Sequence, residues 1–348
     1  MKIIFALLSL MLLILPLKLQ AQVTESDTNQ KTNKMFVSVP VTVSDREGHY
    51  IPGLTKEDFT VYQDGIKQKI TFFAKYNEPL NIVLLLDTSG SARNVIKKIK
   101  DAAEDFIELL NPNDQCQVAT FDSQVKILNP FTSNHQTLKN SLDKVEINEQ
   151  GGTLMYSAVR QIAQDSFVNT QGRKVIILLS DGKDFGSAVT KDELLDRLEE
   201  SDILIYTIFY KTGLKINKPA ADSDRTKKGR QNKKPRKNKN KNSPLVPGRV
   251  MYVPTEEEII LLERNDEIEA VDSLVKMSDM TAGRFYFSDV PNLKKIFRKI
   301  TGELTQQYRL GYNSKDAAND KAVHEIDVKV KRPDVAVRTR GKFRTKQL

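Results

Sequence analysis

The sequence has no tryptophan, one cysteine and three histidines in 348 residues. With Cys116 alone, no intramolecular disulfide can form and no thiolate metal cluster can assemble, so stability must come from a packed core. The apolar flank Gln117-Val118-Ala119-Thr120-Phe121 marks Cys116 as a buried structural thiol. His49, His135 and His324 fall in different predicted elements, and neither a Ser-His-Asp order nor a nucleophile elbow occurs. That leaves no general base beyond the carboxylates of a metal site, and no enzyme activity is expected. No apolar run reaches the roughly 20 residues that cross a bilayer. The longest, Ile3 to Leu17, follows Lys2 and precedes the small residue Ala21, the pattern of a secretory signal cleaved after Ala21, although an uncleaved anchor is the other reading of that run. No cysteine lies near Ala21 to carry a lipid, so the expectation is an exported chain, periplasmic, at the cell surface or secreted.

Charge is unevenly placed. The chain carries a formal +9, yet Lys211 to Arg249 alone holds 14 Lys and Arg against two Asp, an excess of 12 that leaves −3 for the rest. Within it, Lys227, Lys228, Arg230, Lys233, Lys234, Arg236 and Lys237 stand among almost no apolar residues, which predicts a disordered basic insertion. Hydrophobic residues make up 39% and charged residues 28%, the balance of a globular protein with a real core. At this length about two domains are expected.

After a polar stretch to residue 35, Phe36 to Val43 alternates in strand fashion, Phe59 to Tyr62 follows, and Asp64-Gly65 signals a tight turn before Ile70 to Phe73. Three short strands cannot close a core by themselves. Candidate partners alternate at the other end, in Tyr308 to Tyr312, His324 to Val330 and Val335 to Arg338, so the segments 36–79 and 305–348 are predicted to pair into one small β-sandwich. Between them, over 80–304, apolar runs at Ile82 to Leu86, Val175 to Leu179 and Ile203 to Phe209 alternate with helical spacing at Val95 to Leu110, Leu154 to Phe167, Asp192 to Glu200 and Ile268 to Met280. Continuous apolar strands separated by helices predict a doubly wound, mostly parallel α/β sheet covered on both faces.

Such sheets place ligands at the carboxyl ends of their strands. Two of the buried runs end there in carboxylates, Asp87 and Asp181. Asp87-Thr88-Ser89-Gly90-Ser91 offers one carboxylate and two hydroxyls at alternate positions, which are hard oxygen donors suited to one Mg²⁺ or Mn²⁺. The plainer reading is that these residues cap the helix that follows, though capping needs only one of them.

Together with Gly151-Gly152-Thr153 and Ser180-Asp181-Gly182, this string resembles the metal-ion-dependent adhesion site of von Willebrand factor type A domains, a Rossmann-like fold. The resemblance covers about Leu80 to Leu304. It implies that Ser89, Ser91 and Thr153 contact the cation and that Asp87 and Asp181 hold it directly or through water. Asp122, just after the strand ending at Phe121, and Gly152 are candidates to stand just behind; a surface turn residue is the other reading of Asp122. The flanks Gly53-Leu54-Thr55-Lys56-Glu57-Asp58-Phe59 and Gln307-Tyr308-Arg309-Leu310-Gly311-Tyr312 look like an exported bacterial subgroup of von Willebrand factor A-related proteins; the basic insertion departs from that pattern.

The function expected from this resemblance is a cation-dependent binding or adhesion module that captures an acidic group of a protein or surface ligand. The other readings are a structural or assembly component of the cell envelope or secretion machinery, and a metal-dependent hydrolase. The basic insertion adds a candidate steering surface for an acidic protein, an anionic glycan or lipid headgroups. Its lack of aromatic residues argues against nucleic acid.

Overall fold

The computed structural model describes residues 35–75, 78–149, 151–212, 265–288, 292–314 and 322–345. The expected signal peptide and the seven basic residues from Lys227 to Lys237 named above lie outside these. Among the described residues no helix is long and apolar enough to cross a membrane.

Alternation along β1 (Met35–Ser44) buries Val37, Val39, Val41 and Val43 on one face. A hairpin follows, β2 (Phe59–Gln63) to β3 (Ile66–Gln68), closed by the two residues Asp64 and Gly65 at φ 50° and 78°. Positive φ at both positions is what a two-residue hairpin of this hand requires. The returning strand is therefore Ile66–Gln68, ahead of Ile70, and the next strand, β4 (Ile70–Ala74), crosses to a different sheet.

The central strand β5 (Leu80–Asp87) is buried at all eight positions. Around it lie β6 (Gln115–Phe121), β7 (Val125–Ile127), β8 (Arg173–Ser180), β9 (Leu204–Tyr210) and β10 (Phe285–Ser288), in the order β10-β9-β8-β5-β6-β7. All neighbours pair in parallel except β6 with the edge strand β7. The helices are α1 (Ile96–Ile107), α2 (His135–Asp143), α3 (Met155–Asp165), α4 (Lys191–Glu199), α5 (Asn265–Met280) and α6 (Leu293–Leu304).

Period-two alternation divides the core between the two faces. Ile82, Leu84, Leu86, Ile177 and Leu179 pack with Ile99 and Phe106 of α1 and with Phe297 and Ile300 of α6. Val83, Leu85, Ile176 and Leu178 pack with Val159 of α3, Leu194 of α4 and Leu274 of α5. At roughly 1.5–3 kcal/mol per buried large aliphatic side chain, these doubly covered strands anchor the molecule. The α/β class with its mostly parallel sheet is the architecture the sequence predicts.

The closing strands β11 (Tyr308–Ser314), β12 (Val323–Val330), β13 (Ala336–Thr339) and β14 (Lys342–Arg344) complete two four-stranded sheets, β13-β1-β11-β4 and β14-β12-β2-β3. Their registers set Val39 opposite Leu310 and Val61 opposite Val328, both antiparallel. Val39, Val61, Leu310, Val328 and Phe343 share one core, so the two sheets form a sandwich. A polar contact ties it to the α/β sheet: fully buried Glu303, in the last turn of α6, accepts hydrogen bonds from Tyr206 Oη (3.1 Å), Tyr50 Oη (3.1 Å) and Arg284 Nε (2.9 Å), with Arg338 of β13 at 3.8 Å.

Candidate metal centre

The strand order reverses direction at β5, whose neighbours β6 and β8 lie on opposite sides, and this opens a crevice at the carboxyl ends. Asp87 closes β5 there with no solvent exposure. Its Oδ1 accepts the Ser89 backbone N–H (2.9 Å) and the Ser89 hydroxyl (2.6 Å), while its Oδ2 accepts the Ser180 hydroxyl (2.7 Å). Ser89 Oγ also lies 3.0 Å from Ser91 Oγ, so the alternating string does bring its oxygens together.

Capping does not explain them. Ser89 precedes a 3-10 turn, Gly90–Asn94, without a side-chain cap, and α1 starts from Val95, also uncapped.

Asp181 extends β8 and is buried. Its Oδ1 accepts the Lys183 N–H (3.3 Å), and its Oδ2 accepts the Thr212 hydroxyl (3.1 Å) with Lys183 Nζ at 3.7 Å. Gly182, at φ +74°, permits the turn that follows; a Cβ there would also sit 2.8 Å from the Ala270 carbonyl of α5. Thr153 is held between two strand ends. Its carbonyl accepts Phe185 N–H (2.7 Å), and the next residue, Leu154, donates its N–H to the Asp122 carbonyl (2.8 Å). Gly152 lies against the Phe185 carbonyl, where a Cβ would approach to 3.3 Å.

Asp122 organises a neighbouring network. It accepts the Thr88 hydroxyl (3.2 Å), Asn148 Nδ2 (3.1 Å) and both donors of Ser123, and Asn148 donates its own N–H to the Thr88 carbonyl (2.9 Å). Burial pushes the Asp122 carboxyl up, but the bonds from Asn148 and Ser123 and the charge of Lys126 outweigh it and hold it below its ordinary value. Asp122 thus braces the loop that carries Ser89 and Ser91.

Sequence reasoning missed Thr88, Asn148, Ser180 and Thr212. Ser180 stood next to Asp181 in the motif, but nothing in the order of residues says that its hydroxyl crosses to Asp87. Lys211, assigned by composition to the basic insertion, is instead buried and paired with Glu267 at 3.6 Å, because β9 carries it into the α5 junction.

The electrostatics favour a cation. Burial, joined by the charge of Asp181, pushes the Asp87 carboxyl up to about 6 despite the hydrogen bonds from Ser89 and Ser180. All the hydrogen-bond donors to Asp87 named above are neutral, and a buried carboxylate without a countercharge is costly. Nearby, the fully buried Tyr210 hydroxyl has no hydrogen-bond partner among the described residues, and burial and the charges of Asp87 and Asp181 raise it well above its ordinary value. Among the described residues no three His, Cys, Asp or Glu cluster together, so a cation here would be held by hydroxyls and two carboxylates. Such a donor set fits a hard divalent ion.

The other chemistry-bearing groups are engaged elsewhere. His49 pairs with Asp45, His135 with Glu108 and His324 with Asp64. Burial pushes the Cys116 thiol up to about 12.

No curated protein matches the chain. Among solved structures it is similar to proximal thread matrix protein 1 of the mussel byssus, at 16% identity over 76% of this chain and 50% of that one, TM-score 0.44. The chain therefore spans about half the length of that protein, which has also been solved with a zinc-occupied MIDAS motif. It is similar too to the conserved hypothetical protein BatB of Bacteroides thetaiotaomicron (16% identity, 65% of this chain and 97% of that one, TM-score 0.43). A third likeness is to a von Willebrand factor type A protein of Catenulispora acidiphila (11%, 90% and 74%, TM-score 0.44). Residues 82–183, which include all five candidate ligands, match the family model of the von Willebrand factor type A domain.

Proposed function

We propose that this protein is a divalent-cation-dependent binding module, in which Asp87, Ser89, Ser91, Thr153 and Asp181 hold one Mg²⁺ or Mn²⁺ and the cation captures an acidic group of a protein or surface ligand. The observation that carries this reading is the buried pair of strand-end carboxylates, Asp87 and Asp181, set among hydroxyls with no basic partner on Asp87 among the described residues. A bound cation would supply a Lewis acid with room for an outside oxygen. The chain's own residues orient the donors: Ser180 and Ser89 fix Asp87, Thr212 and Lys183 fix Asp181, and Asp122 braces Thr88. Binding of this kind needs no covalent chemistry, and the three histidines and Cys116 supply none at the site. Export from the cytoplasm, read from the first 21 residues, would bring the site to its ligand.

The test is calorimetric titration with Mg²⁺, Mn²⁺ and Zn²⁺, beside an Asp87→Ala, Asp181→Ala double variant checked by circular dichroism. Saturable one-site binding that disappears in the still-folded variant is expected. Unfolding of the variant, in place of a spared fold without binding, would favour the structural, assembly reading.

A further inference from the structure

We infer that the surface beside the candidate cation site receives a polypeptide presenting an acidic side chain next to a large apolar one, and that Phe185 reads the apolar neighbour. This rests on the cation-site reading above.

Phe185 is 64% exposed. A lone exposed apolar side chain is ordinary; what sets this one apart is how firmly the fold presents it. Its N–H is bound to the Thr153 carbonyl at 2.7 Å, so its backbone is tied to a candidate ligand residue. On its other side, Asp184 accepts the Tyr156 N–H at the start of α3 (2.9 Å), the Ser187 hydroxyl (2.6 Å) and the Ser187 N–H (3.2 Å). Gly186 closes the turn at φ +97°, a backbone conformation that L side chains rarely adopt. On a fixed backbone a phenyl has only its two side-chain torsions to lose when it is covered. Behind the loop, the Ala270 carbonyl of α5 packs on Gly182.

Charge sets what covers this surface. Among the described residues Asp87, Asp181, Asp184 and Lys183 sum to −2, and a divalent cation neutralises them with its positive charge concentrated at the ion. Arg93 pairs with Glu149 and Lys126 with Asp122. An anionic group is therefore drawn to the cation itself, and what is covalently next to it comes within reach of Phe185, whose backbone is bonded to Thr153. A peptide can supply a carboxylate and an apolar side chain on adjacent residues.

The test is panning of a random heptapeptide display library on the immobilised protein in Mn²⁺, with elution by EDTA. The expected result is enrichment of Asp or Glu with Phe, Leu, Ile or Tyr within two positions. Phe185→Ala should keep the acidic enrichment and lose the apolar one, and should weaken a selected peptide by about tenfold, from loss of roughly half a buried phenyl. Phe185→Leu should restore much of it, and matched melting temperatures exclude a folding defect. Acidic enrichment without an apolar neighbour, or one indifferent to Phe185→Ala, overturns the inference and leaves the cation site standing. Absence of any EDTA-released acidic peptide overturns both.

Discussion

Glu303→Ala should be among the most destabilising single substitutions in this protein. The carboxylate is fully buried and receives the hydroxyls of Tyr206 and Tyr50 and the Nε of Arg284, with Arg338 close by. Removing one partner of a buried ion pair costs about 3–5 kcal/mol. Two tyrosine hydroxyls also lose their acceptor, but these losses overlap, and water can enter beside Arg284, whose side chain is 34% exposed. We therefore expect about 4 kcal/mol for Ala and about half of that for Gln, which keeps one acceptor oxygen. Against a total of roughly 5–15 kcal/mol this is a large fraction. With a urea slope near 3 kcal/mol/M, Glu303→Ala lowers the midpoint by about 1.3 M. Far-UV circular dichroism in urea reads it, since tryptophan is absent. The contact joins Tyr50 and Arg338 from the sandwich to Tyr206 and Arg284 from the α/β sheet, so a double-mutant cycle of Glu303→Ala with Tyr50→Phe should show coupling. A midpoint loss below about 0.3 M would refute the reasoning and mean that apolar packing alone holds the two layers together.

Two further predictions follow from the site and the fold. In EDTA, Asp87 is held up at about 6, against roughly 3.9 unfolded. A raised carboxyl favours the fold only while protonated, so the metal-free protein should lose up to about 3 kcal/mol as pH rises from about 4 to 6 and beyond, and Mg²⁺ should recover it at pH 7; thermal melts at pH 4.5 and 7 with and without Mg²⁺ check the sign. Gly283→Ala should prevent stable folding, because a Cβ there would lie 1.9 Å from the Ile205 carbonyl inside β9; soluble yield and circular dichroism decide it.

Much of the architecture was legible in residue patterns. The unbroken apolar runs ending at Asp87 and Ser180 could only be strands covered on both faces, and the structure splits their alternate residues between two cores. The alternation of Val37, Val39, Val41 and Val43 likewise showed a strand with one wet face. Less legible was where each strand goes. A two-residue turn at Asp64-Gly65 leaves Ile66–Gln68 as the returning strand and sends Ile70–Ala74 to the other sheet, a choice made by register and turn geometry. The helix expected from Val95 begins one residue later, after a 3-10 turn that lets Ser89 and Ser91 face Asp87.

What the sequence determined by itself is whatever depends on short-range order: strand and helix periods, the carboxylates at two strand ends, and the alternating hydroxyls between Asp87 and Ser91. Tertiary structure alone decided which distant groups meet. Ser180 reaches Asp87, Thr212 reaches Asp181, Asp122 gathers Thr88 and Asn148, and Glu303 collects donors from both layers. The physical reason is that a hydrogen bond across 93 or 253 residues of chain leaves no periodicity to read; it exists only once packing brings the two groups to 2.7 or 3.1 Å of each other.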